Sequence, residues 1–270
     1  MTADFNNKTV AITGAASGIG RALALACAAE GARLALADYN AAGLAETVSL
    51  LPSGVQATTY EVDVSSREAV DRFASQVKAD FGAVHYIVNN AGTSVLATVE
   101  HVTIEEIQRV LAINLWGVIY GTKAFLPIML EQRDGCIVNV SSVFGLVATP
   151  CSVAYTISKF GVRGLTETLW EELDGTGVRA VLVHPGGVNT NISKSTPIAA
   201  RAGELEHRMS EANLRQMTMP PEVCARQIIA GLKRGDKRLL VGNGARAMFT
   251  LARLFPDKVG RMVRRKLGVL

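Results

Sequence analysis

The sequence is poor in the features that mark several protein classes. Its four cysteines, Cys27, Cys136, Cys151 and Cys224, form no CxxC pair, and none lies near a histidine at metal-ligand spacing. Neither a disulfide framework nor a metal site is expected. The cysteines read as small buried hydrophobes of a protein in a reducing compartment, the cytoplasm. Charged residues make up 19% of the chain, below the usual quarter or so. The net charge is only +4, and most of the basic excess sits at the C-terminal end. No basic stripe interleaved with aromatics crosses the body, which argues against nucleic acid as a partner. Long apolar runs are missing as well. The longest, residues 22–29, is far too short to span a bilayer. The N-terminus carries Asp4 and Lys8 and shows no secretory h-region or cleavage site. A soluble protein is expected.

What is present is an apolar content of 49% in 270 residues, enough to bury a large core. Strand-like and helix-like stretches alternate. Strands are expected at residues 8–13, 33–38, 56–62, 84–89, 136–141, 178–184 and 238–241. Helices are expected at 18–30, 41–50, 66–81, 104–130, 152–173 and 221–234, with Gly31, Pro52, Gly82, Gly175 and Pro185 as stops. This repetition predicts an α/β fold: a doubly wound parallel sheet of about seven strands, flanked by helices on both faces. No composition break divides residues 1–242, read as a single domain. A polar, helix-prone insert covers about 190–219, and residues 243–270 form a tail.

The first strand runs into Thr13-Gly14-Ala15-Ala16-Ser17-Gly18-Ile19-Gly20. Glycines at a strand-to-helix turn let the backbone approach a pyrophosphate, and the helix N-terminus offers unpaired N–H groups. The GxxxGxG spacing differs from the common GxGxxG. Asp38 ends the second strand about 20 residues later, where a carboxylate can accept both ribose hydroxyls. A 2′-phosphate would meet repulsion there. Position 39 is Tyr and position 17 is Ser, so neither neighbour supplies a cation for that phosphate. Arg21 is close, but it lies one step into the helix. The residues favour NAD over NADP.

Tyr155 and Lys159 are four residues apart on an expected helix, hence on one face. A phenol titrates near 10, and a nearby ammonium favours its ionised form. Tyr155 could then exchange a proton with a substrate hydroxyl or carbonyl. Ser142 lies just past the fifth strand, where ligands sit in such sheets, and could donate a hydrogen bond to a developing alkoxide. Its neighbour Ser141 competes for that role. Asn114, between Ile113 and Leu115, is a poor helix former in mid-helix. A kink, or a water-bridged role near the lysine, would explain it.

Together, Thr13–Gly20, Asn89-Asn90-Ala91-Gly92, Asn114, Ser142, Tyr155, Lys159 and Pro185-Gly186 occur in the order and at the spacings of the short-chain dehydrogenase/reductase family. The chain resembles the shorter, single-domain branch of that family over residues 8–241. The resemblance implies a Rossmann-like fold and reversible hydride transfer between a nicotinamide and a secondary alcohol or ketone. It implies a tetrad of Asn114, Ser142, Tyr155 and Lys159. Tyr155 would be the general acid/base, Ser142 would hold the substrate oxygen, and Lys159 would bind the nicotinamide ribose. Asn114 would hold a water that feeds a proton relay. Asp63 and Val64 would contact adenine, Asn90, Ala91 and Gly92 would shape the strand end, and Val188 and Thr190 would reach the carboxamide. A homo-oligomer, dimer or tetramer, is implied through the two long helices. The roughly 30 residues after Thr190 are too few for the longer epimerase branch. Two other readings stand: an NADP-dependent ketone or acyl reductase, and a non-catalytic dinucleotide-binding regulator.

Substrate choice is expected from residues 190–219, Ser94, residues 143–150 and Gly187. The apolar run Val143-Phe144-Gly145-Leu146-Val147 hints at a hydrophobic alcohol or carbonyl. Ser193, Lys194, Arg201 and Arg208 read either as contacts to a polar substrate or as the solvated face of a lid. The tail carries Arg246, Arg253, Lys258, Arg261, Arg264, Arg265 and Lys266 against one acid, Asp257, interleaved with Met248, Phe249, Leu251, Leu254, Phe255, Met262 and Val263. Pro256 should split it into two short helices. Two roles are expected of this pattern: peripheral contact with an anionic membrane, or packing on the body or a second subunit.

Overall fold

A computed structural model describes residues 4–242 and 244–268; the side chains of Ser193, Lys194, Lys266 and Leu267 lie outside the described set. Seven strands form one sheet: β1 (Thr9–Thr13), β2 (Arg33–Asp38), β3 (Ala57–Glu61), β4 (Tyr86–Asn89), β5 (Gly135–Val140), β6 (Val178–Pro185) and β7 (Arg238–Val241). Their order is β3-β2-β1-β4-β5-β6-β7, with every pair parallel. A parallel sheet needs both faces covered, which is why β1 and β5 are buried at every position. Helices α1 (Gly18–Ala29), α2 (Ala41–Ser49), α3 (Arg67–Phe81), α4 (Ile104–Leu111), α5 (Gly117–Gln132), α6 (Val153–Glu172) and α9 (Pro221–Arg234) supply the cover. The insert holds α7 (Asn191–Ser195) and α8 (Glu204–Gln216), and the tail α10 (Ala245–Leu254) and α11 (Val259–Leu267).

The strands' two-residue period sorts the core into two layers. Val10, Ile12, Leu34, Leu36, Val138 and Val181 face α1 and α9, where they meet Leu23, Cys27, Ile228 and Leu232. The alternate residues Ala11, Ala35, Ala37 and Ala180 are small and face α3, α5 and α6. Ile87 and Ile137 of the central strands and large helix residues fill this layer, where Phe73 and Phe125 pack edge-on at 5.4 Å between ring centroids. Phe125 is fully buried, and truncating such a ring to Ala costs about 3–5 kcal/mol.

The expected long helix is not uniform. Residues Ala112–Trp116 form a π-helical turn between α4 and α5. Asn114 sits at the centre of this turn. Its Oδ1 accepts from the Thr93 N–H at 2.8 Å, and its Nδ2 donates to the Thr93 carbonyl at 2.9 Å and to Ser158 Oγ at 3.2 Å. Extra-residue turns of this kind recur at functional sites. The stretch Ile104–Gln132 is also long and apolar enough to cross a membrane by composition, although polar residues interrupt it. Here it covers the sheet, with Phe125 and Met129 fully buried.

The chain leaves β1 towards β2 on one side and reaches β4 on the other. Loops after β1 and β4 therefore diverge, and the crevice opens at the C-terminal ends of these strands. The tail closes back on this end: α10 and α11 pack on Leu146, Val147 and Leu240. Pro256 separates the two helices, as its position in the sequence predicts.

Candidate active site

At the end of β1 the turn is laced to the end of β4. Thr13 Oγ1 accepts from the N–H groups of Asn90 (3.0 Å) and Ala91 (3.2 Å), while Asn90 Nδ2 donates to the carbonyls of Thr13 (2.9 Å) and Gly14 (3.3 Å). Gly14 and Gly18 have φ of 69° and 54°, the left-handed region that costs other residues strain. A Cβ at Gly20 would collide with the Gly14 carbonyl, whereas one at Gly18 would face Thr190 across the crevice at 3.4 Å. Gly20 is thus a packing glycine and Gly18 a cradle glycine. The Ser17 side chain makes no capping bond to α1, so the first-turn N–H groups remain available to an anion.

Asp38 closes the far side of this cradle. Its Oδ2 accepts from the Ala16 N–H and its Oδ1 from the Asn40 N–H, both at 3.0 Å. Each oxygen keeps lone pairs for a further donor. Arg21, the nearest cation, is committed elsewhere. Its guanidinium grips Glu46 with two bonds of 2.7 Å and donates to Thr47 Oγ1 at 3.0 Å.

The chemistry-bearing residues converge from β5 and α6. Ser142 is the cap of a short 3₁₀ turn, Val143–Gly145, and its Oγ accepts from the Phe144 N–H at 3.1 Å. Its side chain lines the same cavity as Tyr155. Ser141 has its hydroxyl turned away, to the Lys159 carbonyl at 2.9 Å. This separates the two serines that compete in the sequence. Burial pushes the Tyr155 phenol above its ordinary value, and Ser142 acts against that rise. Lys159 is 3% exposed. Burial lowers its ammonium to about 8, and its Nζ donates to the Val140 carbonyl at 2.9 Å while lying 5.5 Å from the Tyr155 ring centroid.

Behind Ser142 stands His184 on β6, which the sequence reading passes over. Arg238 is a donor only, and its Nη1 lies 3.1 Å from His184 Nε2. That fixes Nε2 as the acceptor and puts the proton on Nδ1, 2.8 Å from the Ser142 carbonyl. Burial lowers the imidazole to about 4. Arg238 is itself held by Glu167 at 2.6 Å and lies over the rings of Trp170 and Phe249.

All the residues anticipated for cofactor and catalysis line one cavity of about 1500 Å³, except Gly20 and Asn114. Asp63, Val64, Asn90, Ala91, Gly92, Pro185, Gly186, Val188 and Thr190 are among its lining residues. Asn114 is fully buried and acts on the cavity through Thr93. The volume exceeds the roughly 300–1,000 Å³ of a pocket for one small ligand, which fits a dinucleotide together with a second molecule. The lid is anchored by Glu206, 1% exposed. Its Oε1 accepts from Thr98 N–H and Oγ1 at 3.1 and 2.9 Å and pairs with His101 Nδ1 at 2.6 Å. Its Oε2 accepts from the Gly203 N–H at 3.1 Å. Arg201 is exposed, and Arg208 donates to the Gly268 carbonyl at 3.3 Å, so both sit on the outer face of the lid.

Comparison with known proteins agrees with this geometry. Residues 8–200 match the family model for short chain dehydrogenase. The chain is 41% identical over 263 residues to the putative oxidoreductase SadH of Mycobacterium tuberculosis, covering 96% of this chain and 95% of that one. It is 32% identical to human estradiol 17-beta-dehydrogenase 11, covering 96% of this chain and 83% of that one. A short-chain dehydrogenase/reductase from Burkholderia phymatum, solved in complex with NAD, superimposes with a TM-score of 0.88 at 30% identity, covering 94% and 96% of the two chains. The chain belongs to the short-chain dehydrogenase/reductase family of NAD(P)-dependent oxidoreductases.

Proposed function

We propose that this chain interconverts a hydrophobic secondary alcohol and its ketone, using NAD(H) and the tetrad of Asn114, Ser142, Tyr155 and Lys159. The observation that carries the reading is the convergence of Ser142, Tyr155 and Lys159 on one cavity with the glycine turn and Asp38. When bound, the nicotinamide would accept or supply the hydride. Tyr155 exchanges the proton with the substrate oxygen, and Ser142 donates a hydrogen bond to that oxygen as charge develops. Lys159, already destabilised as an ammonium by burial, gains from any negative charge on the phenol. Asn114 ties the loop after β4, at Thr93, and the π-turn to α6 through Ser158.

Two observations favour NAD. Asp38 presents a carboxylate where a 2′-phosphate would sit, and Glu46 occupies the Arg21 guanidinium. The Burkholderia phymatum relative was solved with NAD. A homo-oligomer, dimer or tetramer, through the long helices is part of the reading, supported by the exposed Trp116, Ile157 and Phe160. Peripheral membrane contact through Leu254 and Phe255 is another part, and four free, buried thiols accord with a cytoplasmic setting. The test is fluorescence titration with NADH and with NADPH, followed by a panel of alcohols and ketones. Tighter NADH binding with turnover is expected. Equal or tighter NADPH binding would move the reading to an NADP-dependent ketone or acyl reductase, and binding without any turnover to a regulator.

A further inference from the structure

The cavity does not end at Tyr155. Beyond Phe144 it reaches the tail, where Ala247, Met248 and Leu251 of α10 and Met262 and Val263 of α11 form its wall. The spacing explains the arrangement. Positions 244, 247, 248 and 251 follow i, i+3, i+4, i+7 and share one helix face. The helices are fixed in place, because Met248, Phe249, Leu251, Val259 and Val263 pack with Leu146 and Val147. Phe249 also carries the Arg238 guanidinium at 5.2 Å from its ring centroid.

The sorting of residue types is informative. Among the described residues, none of the tail's arginines or its Lys258 lines the cavity, and every tail side chain that does is apolar. An amphipathic tail thus keeps its charged side chains out of the cavity, with Arg246, Arg253, Lys258, Arg261 and Arg265 exposed, and turns an apolar face to it. Met217, at the end of the lid, joins Met248 and Met262, and methionine side chains adapt to apolar ligands of varied outline. Met262 is 43% exposed although large and apolar, as expected of a residue that a bound apolar group would cover.

We propose that α10 and α11 form the specificity end of the substrate site. The substrate is an uncharged secondary alcohol or ketone whose reacting oxygen sits at Ser142 and Tyr155. Its long apolar flank runs past Phe144 along the 247–251 face to Met262. This rests on the hydride-transfer reading above for the chemistry, but not for the binding of the flank.

Ala247 and Met262 are exposed, so added bulk there fills the cavity without overpacking the core. Two measurements compare wild type with Ala247→Trp and with Met262→Trp. The first is kcat/KM on a 2-alkanol series from butanol to undecanol. In wild type it rises about fourfold for each methylene buried. In both variants the rise stops earlier, and the preference for long over short alcohols falls at least tenfold with 2-butanol little changed. The second is calorimetric titration of the NAD-loaded protein with 2-nonanone, a pair that cannot react. Wild type binds, and each variant binds at least tenfold more weakly. Ketone binding that responds to the variants, without turnover of any alcohol, would sink the hydride-transfer reading and leave the tail site standing. Turnover with chain-length profile and ketone affinity unchanged in both variants would overturn the tail site and leave the reaction standing. No binding of 2-nonanone by wild type would overturn it as well.

Discussion

His184 Nδ1 lies 2.8 Å from the carbonyl of Ser142, forty-two residues away in the chain. This bond fixes the backbone that carries the Ser142 side chain at the cavity it lines with Tyr155. It ties the reacting end of the site to Arg238, Glu167 and the ring of Phe249 in the tail. His184 is a positioning residue, since it touches the site only through Ser142.

The first prediction follows. Asn at 184 places an amide N–H near the position of Nδ1, whereas Phe leaves the Ser142 carbonyl without a donor. His184→Asn should keep kcat within a few-fold, and His184→Phe should lose tenfold or more in kcat with little change in KM. The acid limb of stability should change too. The imidazole is held at about 4 when folded, against 6.5 when free. The unfolded chain therefore binds more protons between those values, and stability falls as pH drops through that window. The contribution is about 3 kcal/mol, and it should be missing from the pH dependence of denaturation of both variants.

Lys159 makes the opposite limb. Burial lowers it to about 8 from 10.5, so the unfolded chain again binds the extra proton, and stability rises with pH from about 8 to 10.5. At pH 7 the buried ammonium is a net cost. Lys159→Met should therefore be more stable than wild type at pH 7, by about 3 kcal/mol. The gain should shrink towards pH 10.5 in urea titrations. A variant less stable at pH 7 would show that the bond to Val140 outweighs desolvation.

Glu206 locks the lid. Burial alone would raise its carboxyl, but hydrogen bonds from His101, Thr98 and its own helix end hold it at about 2. Its folded value is depressed, so its contribution is present above about 4.5 and lost as pH falls towards 2. Glu206→Ala leaves the donors of Thr98, His101 and Gly203 without their acceptor, at a cost of about 3 kcal/mol. It should also raise KM more than it lowers kcat, as read from steady-state kinetics and thermal melts.

The tail's outer surface makes a separate prediction. Leu254 and Phe255 are 65% and 45% exposed, among the exposed cations Arg253, Lys258, Arg261 and Arg265. Vesicles with anionic lipid should co-sediment the protein, and Leu254→Ser with Phe255→Ser should release it. Equal recovery of both proteins in the supernatant would end the membrane idea. Deleting the tail would be uninformative, because its inner face packs against Leu146 and Val147.

Much of this site is legible in the sequence because it is local. The glycine turn, Asp38 at the end of its strand and the Tyr155–Lys159 spacing each follow from the geometry of one turn or one helix. Asn114 reads correctly as an anomaly, yet the π-turn around it depends on Thr93, whose approach no periodicity encodes. His184 is invisible for a similar reason: in the apolar stretch of β6 it looks like one more strand residue, and its role arises only from Ser142 on β5 and Arg238 on β7. The tail's pattern predicts two amphipathic helices. Which apolar residues face the cavity, which face the core and which face solvent is decided by packing on residues about a hundred positions earlier.

The most direct test of the account is the rate of NADH formation from a long-chain 2-alkanol by wild type and by Tyr155→Phe. Tyr155→Phe removes only the hydroxyl that exchanges the proton. The rate should fall by about 10²–10⁴, while NADH affinity, measured by fluorescence, should stay within a few-fold. A Tyr155→Phe variant that turns over the alcohol at the wild-type rate would contradict the central claim.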